Sequence, residues 1–471
     1  MNAATTLSNS NIAFGTSGAR GLVDDFTPEV CAAFTLAFLS TNKHYKRLAI
    51  AIDNRPSSPE IAASCIAAAK DLGIRVDYYG VIPTPALAFT SMNDAIPSIM
   101  VTGSHIPFDR NGLKFYRPEG EISKADELAI LAAEVEVPAL AFNNELPAIS
   151  HKASDSYKQR YLELFSDDLL LGKKIGIYEH SSAGRDLYAD LFTALGAEVV
   201  SLGRSDKFVP IDTEAVGQED IKQAQLWQGE YGLDAIFSTD GDGDRPLLSD
   251  EAGNYLRGDI LCLLAAQYLE IEALAVPVSC NSGIERCGAF HKVERTKIGS
   301  PYVIAQFSAL NQSYQRVAGF EANGGFLLGS DISLNQKLLS ALPTRDALLP
   351  ALAVLALAGS KPISQLLANL PKSFTASDRL QNFSRESSLN LLEEVEADPQ
   401  TLLLNAGLKE FTVISIDKTD GLRMTLNNQF IIHLRPSGNA PELRCYIEAD
   451  SQLIAIELVE KVLGYISSAK S

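Results

Sequence analysis

Three aspartates at alternate positions, Asp240-Gly-Asp-Gly-Asp-Arg245, constrain this chain more than any other feature. They follow the apolar run Leu233-Asp-Ala-Ile-Phe-Ser238, which reads as a buried strand. Three carboxylates this close repel one another, and a hard divalent cation is the usual remedy. In a straight strand, alternate residues stand roughly 6.6 Å apart. Ligands around one small cation lie within about 4 Å of each other, so the loop must curl, and Gly241 and Gly243 permit that. A calcium EF-hand also spaces carboxylates this way, and Asp240, Asp242, Asp244 and Glu251 match its pattern. That loop needs glycine where Arg245 stands, and a helix before it rather than a strand, so it is rejected. A metal-dependent aspartyl phosphatase also places a pair of aspartates after a buried strand, and stays open as an alternative enzyme.

A second polar loop stands far upstream. Ser98-Ile-Met-Val101 reads as a strand, and Thr102-Gly-Ser-His-Ile-Pro-Phe-Asp-Arg-Asn-Gly-Leu-Lys114 as the loop it feeds, punctuated by Gly103, Pro107 and Gly112. It brings a nucleophile, Ser104, a titratable imidazole, His105, and an ammonium, Lys114, into one short stretch. Two further loops suit phosphate. Phe14-Gly-Thr-Ser-Gly-Ala-Arg-Gly21 offers backbone N–H groups and the cation Arg20, without the terminal Lys-Ser/Thr of a nucleotide P-loop. Leu434-Arg-Pro-Ser-Gly-Asn-Ala-Pro-Glu442 offers the planar fork of Arg435 with Ser437, Gly438 and Asn439, held between two prolines.

The chain around these loops alternates strand and helix. Residues 47–53, 76–80 and 99–101 read as strands, with a proline-started helix over 59–72, so a largely parallel sheet is expected. The Ser104 loop then lies at the C-terminal end of its strand, where open α/β sheets place their sites. Residues 140–154 read as a linker and 156–165 as a helix. A second alternation follows, with a helix from about Thr213 leading to the aspartate loop. A third holds the loop Arg295-Thr-Lys-Ile-Gly-Ser-Pro301, the glycine-rich Val317-Ala-Gly-Phe-Glu-Ala-Asn-Gly-Gly-Phe326, and a buried apolar helix over 347–359. After Lys372 come 411–416, 422–426 and 430–434, strands joined by tight turns, then a strand and an amphipathic helix over 453–466. The chain thus reads as α/β: three consecutive α/β domains with mixed, largely parallel sheets (1–150, 151–256, 257–372) and a smaller C-terminal α+β domain (373–471). The first three look like copies of one sheet design without sequence self-similarity. The polar stretch 370–384 shows no period and is expected to hinge the last domain.

Composition narrows the partners. A length of 471 residues, 46% hydrophobic and 21% charged, is that of a soluble globular protein of several domains. The net charge of −18 argues against nucleic acid or an anionic membrane, while leaving room for an anionic small substrate met by local cations. Residues 1–11 lack the basic start and apolar core of a signal peptide, and no run reaches the ~20 residues of a membrane span. Six scattered cysteines at no metal or redox spacing read as reduced thiols of a cytoplasmic protein.

Taken in order, these loops resemble the α-D-phosphohexomutases across nearly the whole chain. Thr102-Gly-Ser-His-Ile-Pro107 resembles that family's phosphoserine loop, Asp240-Gly-Asp-Gly-Asp-Arg245 its magnesium loop, Gly319-Phe-Glu-Ala-Asn-Gly-Gly325 its sugar loop, and Arg435-Pro-Ser-Gly-Asn-Ala-Pro441 its phosphate loop. The resemblance implies four domains around a central cleft and an isomerase of carbohydrate metabolism and nucleotide-sugar biosynthesis. It implies that Ser104 carries a transferable phosphoryl group, and that Asp240, Asp242, Asp244 and Ser104 hold Mg²⁺. Glu321 and Asn323 then contact sugar hydroxyls, with Thr296, Lys297 and Gly299 also at the substrate. Arg435, Ser437, Gly438 and Asn439 grip the non-reacting phosphate, and Arg20, Lys114 and Arg245 surround the moving one. A hexose 1,6-bisphosphate is the implied activator, and a monomer or homodimer the implied assembly. Within the family the motifs look most like bacterial phosphomannomutases, with phosphoglucomutase and (N-acetyl)glucosamine-phosphate mutase as alternatives. Two departures bear on proton transfer: Gly325 and Ser300 stand where some relatives carry histidine. His105, Lys114 and Arg20 are the candidate acids and bases, Lys114 first.

Overall fold

The structure is a computed structural model describing residues 2–15, 18–41, 44–140, 145–437 and 441–469. The first sheet contains β1 (Ala13–Phe14), β2 (Ala19–Leu22), β3 (Arg47–Ile52), β4 (Arg75–Val81), β5 (Ser98–Val101), β6 (Arg110–Arg117) and β7 (Gly120–Glu121). β3 pairs in parallel with β4 on one side and β5 on the other, and β6 runs antiparallel beside β5. The second sheet repeats this with β8 (Lys174–Tyr178), β9 (Glu198–Leu202), β10 (Ala235–Thr239) and β11 (Pro246–Leu248). There β8 is central and parallel to both neighbours, and β11 turns back along β10. The third does so again with β12 (Ala273–Pro277), β13 (Lys292–Thr296), β14 (Val317–Phe320) and β15 (Phe326–Leu328), extended by β18 (Leu342–Asp346); between β15 and β18, β16 (Ile332–Leu334) and β17 (Lys337–Leu339) form a separate two-stranded hairpin.

The design is therefore repeated three times, and the three chemistry-bearing loops occupy one equivalent place. Each joins the third strand of the repeated four-strand core (β3–β6, β8–β11, β12–β15) to the antiparallel fourth: 102–109 after β5, 240–245 after β10, 321–325 after β14. The parallel strands are covered on both faces, which is why β5, β10 and β12 are wholly buried and read as continuous apolar runs. One apolar cluster passes through all three units, from Met100 and Tyr157 through Phe237 to Phe320 and Leu352. No helix among the described residues is long and apolar enough to cross a membrane, and the six cysteines are free.

Some elements differ from the sequence reading. The helix expected from 156 begins at Lys152, inside the expected linker. Ala153, Tyr157, Tyr161 and Leu164 form its buried stripe, hidden among polar neighbours. The helix expected from about Thr213 spans Gln218–Tyr231. Lys114 lies on β6 rather than in the loop, and Thr296 ends β13.

The last unit is an antiparallel sheet of β19 (Phe374–Gln381), β20 (Val413–Asp417), β21 (Leu422–Leu426), β22 (Ile431–Pro436) and β23 (Glu442–Ala449), in the order β19-β23-β22-β21-β20. The helix Gln452–Ser468 covers one face, and Met424, Leu434, Ile447 and Val462 belong to a separate apolar cluster. The expected hinge 370–384 is corrected here. Most of it is β19, paired with β23 along its whole length. Its exposed edge-strand pattern lacks the alternation that would have marked it, and only 370–373 and 382–384 lie between the elements.

His433 on β22 is buried, and its Nε2–H donates to the Asp420 carbonyl at 2.7 Å. Burial pulls its pKa down to about 4. A histidine depressed in the fold contributes stability that is present above its unfolded value of ~6.5 and lost as pH falls toward the folded value. This residue should cost the C-terminal unit about 1.4 kcal/mol per pH unit across that window. Thermal unfolding of His433→Asn should show a smaller loss than wild type between about pH 7 and about pH 5. Equal losses would remove His433 as the cause.

Candidate active site

Ser104 sits at the first of the three equivalent loops in a left-handed backbone, φ +54°. Such a conformation costs a non-glycine residue roughly 1–2 kcal/mol and needs outside support. Arg55 supplies it. Its buried guanidinium donates to the carbonyls of Ser104 (2.8 Å), Ile106 (2.5 Å), Pro107 (2.7 Å) and Arg110 (2.9 Å), and pairs with Asp53 at 3.1 Å. Phe208 of the second unit lies over this guanidinium, 4.0 Å from ring centre to Cζ. The Thr102 hydroxyl accepts from the Ser104 N–H at 2.8 Å and donates to Asp53 at 2.7 Å.

The Ser104 hydroxyl donates to Asp240 Oδ2 at 2.6 Å, which joins the first loop to the second. Asp240 Oδ1 accepts the N–H groups of Asp244 and Arg245, both at 3.2 Å, and that curls the loop. Gly241 is required by close approach, since a Cβ there would sit 2.7 Å from the Ser104 carbonyl oxygen. Asp242 Oδ2 accepts from Thr84 Oγ1 at 2.6 Å and Lys114 Nζ at 2.5 Å. Asp244 Oδ2 accepts from Lys114 at 2.6 Å and from Arg345 Nε at 3.0 Å. The three carboxylates are fully buried, and one ligand oxygen from each lies within 4.8 Å of the others.

The electrostatics follow this wiring. Burial, with Asp242 and Asp244 nearby, pushes Asp240 well above the usual carboxylate range. Burial acts the same way on Asp242, but Lys114, Thr84 and Arg20 overcome it and hold that group far below the range. Asp244 is likewise held down against burial, by Arg345, Lys114 and Arg245. Asp242 Oδ1 and Asp244 Oδ1 remain buried without a hydrogen-bond partner. Two orphaned carboxylate oxygens beside Ser104 and Asp240 form the donor set of a hard divalent cation, so the buried triad can hold a metal ion.

Cations surround the hydroxyl. Arg20 donates to the Gly103 carbonyl. Burial and three nearby arginines bring its pKa to about 10, with Asp242 opposing, so it stays charged. Arg245 Nη1 stands 2.8 Å from His105 Nδ1. A guanidinium can only donate, so Nδ1 accepts, and the neutral ring carries its proton on Nε2. Burial, then Arg245, pull the His105 pKa to about 3. Ser104 Oγ is 3.5 Å from the same nitrogen.

The third loop adds Glu321 and Asn323, both buried. Asn323 Oδ1 accepts from the Gly325 N–H at 3.0 Å, and Arg345 links Glu321 to Asp244. A cleft of about 590 Å³ is lined by Lys124, Lys297, Arg385, Lys418 and Arg435, with Phe14 at its edge. Within it Asp420 pairs with Arg435 at 3.0 Å and accepts the Ile298 N–H at 3.0 Å, tying the C-terminal unit to the third. Thr296 donates to the Lys297 carbonyl, and Gly299 precedes the helix Ser300–Leu310. Ser437 is buried, with its N–H on the Glu442 carbonyl. Gly438 and Asn439 lie outside the described residues.

Sequence reading did not find Arg55, Thr84, Arg345 or Asp420. A faint signal existed for two of them. Asp53-Asn-Arg55 puts opposite charges at the end of an apolar strand, and Arg345-Asp346 puts them at the entry to the longest apolar run.

The wiring of Lys114 allows a direct test. Lys114→Met leaves two buried carboxylates without their shared ammonium, which should cost about 3–5 kcal/mol of stability. Denaturant unfolding in chelator should show that loss, and Mg²⁺ should recover part of it by replacing the missing charge. A variant as stable as wild type in chelator would mean that Lys114 does not hold the aspartates.

Residues 11–136 match the family model for phosphoglucomutase/phosphomannomutase α/β/α domain I, residues 257–374 that for domain III, and residues 392–464 that for the C-terminal domain. The chain is 58% identical to a phosphomannomutase of Salmonella muenchen over 465 residues, covering 98% of this chain and 97% of that one. It is 43% identical to a phosphomannomutase of Sinorhizobium fredii over 473 residues, covering 97% and 99%. A phosphoglucomutase/phosphomannomutase family protein of Burkholderia thailandensis has the same fold, with a TM-score of 0.74, 20% identity and 97% of each chain covered. This chain belongs to the phosphoglucomutase/phosphomannomutase family, the α-D-phosphohexomutases. It is thereby one of the mutases, isomerases that work by phosphoryl transfer.

Proposed function

We propose that this chain interconverts mannose 6-phosphate and mannose 1-phosphate, with Ser104 as the residue that carries the phosphoryl group. The observation that carries the reading is the 2.6 Å contact between the Ser104 hydroxyl and Asp240, inside a ring of three aspartates and four cations. The identity to two phosphomannomutases over nearly the whole chain supports the choice of sugar. Mg²⁺ bound by Asp240, Asp242, Asp244 and Ser104 would neutralise charge on the phosphoryl oxygens. The remaining work falls to the protein. Arg20, Lys114 and Arg245 surround the transferred group and stabilise its developing charge. Glu321 and Asn323 hold the sugar hydroxyls. Arg435, Ser437, Gly438 and Asn439 take the other phosphate, and Thr296, Lys297 and Gly299 line its approach.

The reaction is two in-line transfers. Phosphoserine 104 gives its phosphoryl group to the free hydroxyl of the sugar phosphate, and Ser104 leaves as the alcohol. The hexose 1,6-bisphosphate turns around, and its other phosphoryl group returns to Ser104, so added bisphosphate acts as activator. Of the candidates His105, Lys114 and Arg20 for moving the hydroxyl proton, Lys114 is ranked first on the proximity of its charge to the metal loop. Neutral His105, with Nδ1 occupied, orients Arg245 beside Ser104. Asp240 is poorly placed as a nucleophile, because both its oxygens are engaged, which weighs against an aspartyl phosphatase. We read the domains as 1–150, 151–256, 257–372 and 373–471, and the location as cytoplasmic.

Coupled assays of mannose 1-phosphate, glucose 1-phosphate and N-acetylglucosamine 1-phosphate test the reading. The expected result is the highest kcat/KM with the mannose ester. A preference for glucose or the amino sugar would move the chain to a sister activity, and phosphate release without isomerisation would overturn the mutase reading.

A further inference from the structure

Arg345 takes no part in the sequence motifs, yet it is the most connected cation between the second and third loops. It lies on β18 and is buried. Its Nε and Nη2 stand 3.0 and 2.9 Å from Asp244 Oδ2, while Nη1 reaches Glu321 Oε2 at 3.0 Å and Ser300 Oγ at 3.2 Å. One planar group thus grips a carboxylate of the metal loop and the carboxylate of the sugar loop together.

Its own position is fixed from two sides. The next residue, Asp346, accepts the hydroxyls of Tyr157, at 2.6 Å, and Tyr161 from the helix Lys152–Leu164, so β18 cannot slide. Across from it, Gly325 provides the space. A Cβ at 325 would lie 2.4 Å from Arg345 Cδ and 2.5 Å from Cγ. The glycine at the end of the sugar loop is therefore the counterpart of this arginine, and the two form one packing unit.

We propose that Arg345 is a positioning residue of the mutase site, which orients Asp244 toward the metal and Glu321 toward the sugar with a single guanidinium. Arg345 and Lys114 both engage Asp244 Oδ2, which leaves Asp244 Oδ1, without a hydrogen bond and 3.6 Å from Arg245 Nε, as the oxygen turned to an ion. The paired Glu321 stays an acceptor for sugar hydroxyls and keeps one distance from the metal loop. Lysine would reproduce this only in part, because its one nitrogen lacks the separated donors with which the planar guanidinium reaches Asp244 on one side and Glu321 and Ser300 on the other. The inference rests on the mutase reading for the sugar, but its metal arm does not depend on which sugar is used.

The test uses the full chain and the variants Arg345→Met, Arg345→Lys and Gly325→Ala. Mn²⁺ is titrated calorimetrically into dephosphorylated protein, and kcat and KM are measured for mannose 1-phosphate. Arg345→Met should weaken Mn²⁺ binding about 10- to 100-fold, as loss of an outer-shell partner does elsewhere, and should raise KM. Arg345→Lys should restore only part of either. Gly325→Ala keeps every charged group but displaces the guanidinium, and should shift both quantities in the same direction by less. If Arg345→Met is too unstable to purify, Arg345→Lys and Gly325→Ala carry the test. Mn²⁺ affinity and KM within about twofold of wild type in the variants would overturn the proposal. So would full rescue by lysine, which would reduce Arg345 to a simple counter-charge. A wild type inactive on all three sugar phosphates would sink the proposed function, while the Mn²⁺ titration would still decide the role of Arg345.

Discussion

Ser104→Ala is expected to abolish mutase turnover, by about 10⁴-fold or more, and to leave the fold standing. The hydroxyl is the group that meets Asp240, and nothing nearby can replace it. Thr102 Oγ1 is committed to Asp53 and Thr84 Oγ1 to Asp242. The neighbouring imidazole is held neutral with Nδ1 facing Arg245, so it cannot take over as a phosphoryl carrier without giving up that partner. Alanine tolerates the same left-handed backbone about as poorly as serine does, so removal of one oxygen should change stability little. Intact-mass measurement after incubation with a hexose bisphosphate should find one phosphate on the wild type and none on the variant. A phosphorylated, active variant would move the covalent chemistry to an aspartate.

Arg55→Met should damage stability and catalysis together. It strips four carbonyls of the Ser104 loop of their donor and leaves buried Asp53 without its cation. Breaking a buried pair in this way costs about 3–5 kcal/mol. The loss to catalysis should be separate. The φ of +54° at Ser104 is maintained by this guanidinium, and a displacement of about 1 Å in a reacting group can cost about 100-fold in rate. Arg55→Lys should rescue little, because one ammonium cannot span four carbonyls. Denaturant unfolding and kcat on the same preparations would check both parts. A stable, fully active Arg55→Met would show that the loop holds its own shape.

The difference between these residues and Ser104 explains what could be read in advance. Ser104, the three aspartates, Glu321 and Arg435 each sit in a short contiguous stretch whose composition is chemically odd, and composition is visible in one dimension. Arg55, Thr84 and Arg345 each act on a loop 49 or more residues away. Their importance comes from pairings between segments far apart along the chain, which no local pattern encodes. The repeated sheet was legible as alternating strand and helix, since buried parallel strands are apolar throughout. β19 was not, because an edge strand with one exposed side looks like a loop, and so most of the expected hinge proved to be sheet.

The equivalence of the three loops has a consequence for how the chain comes together. Ser104 meets Asp240 across 136 residues, Lys114 meets Asp242 across 128, and Arg345 meets Asp244 across 101. Strands within a sheet find neighbours that are close along the chain, whereas these contacts require finished sheets to meet, at a greater cost in loop-closure entropy. During folding the aspartate segment is therefore a knot of like charge in water, while its lysine and arginine are still being delivered by separate units. The site has no precursor within any one unit. Competence is acquired at the final docking of the sheets, and it is the first property lost when they begin to part.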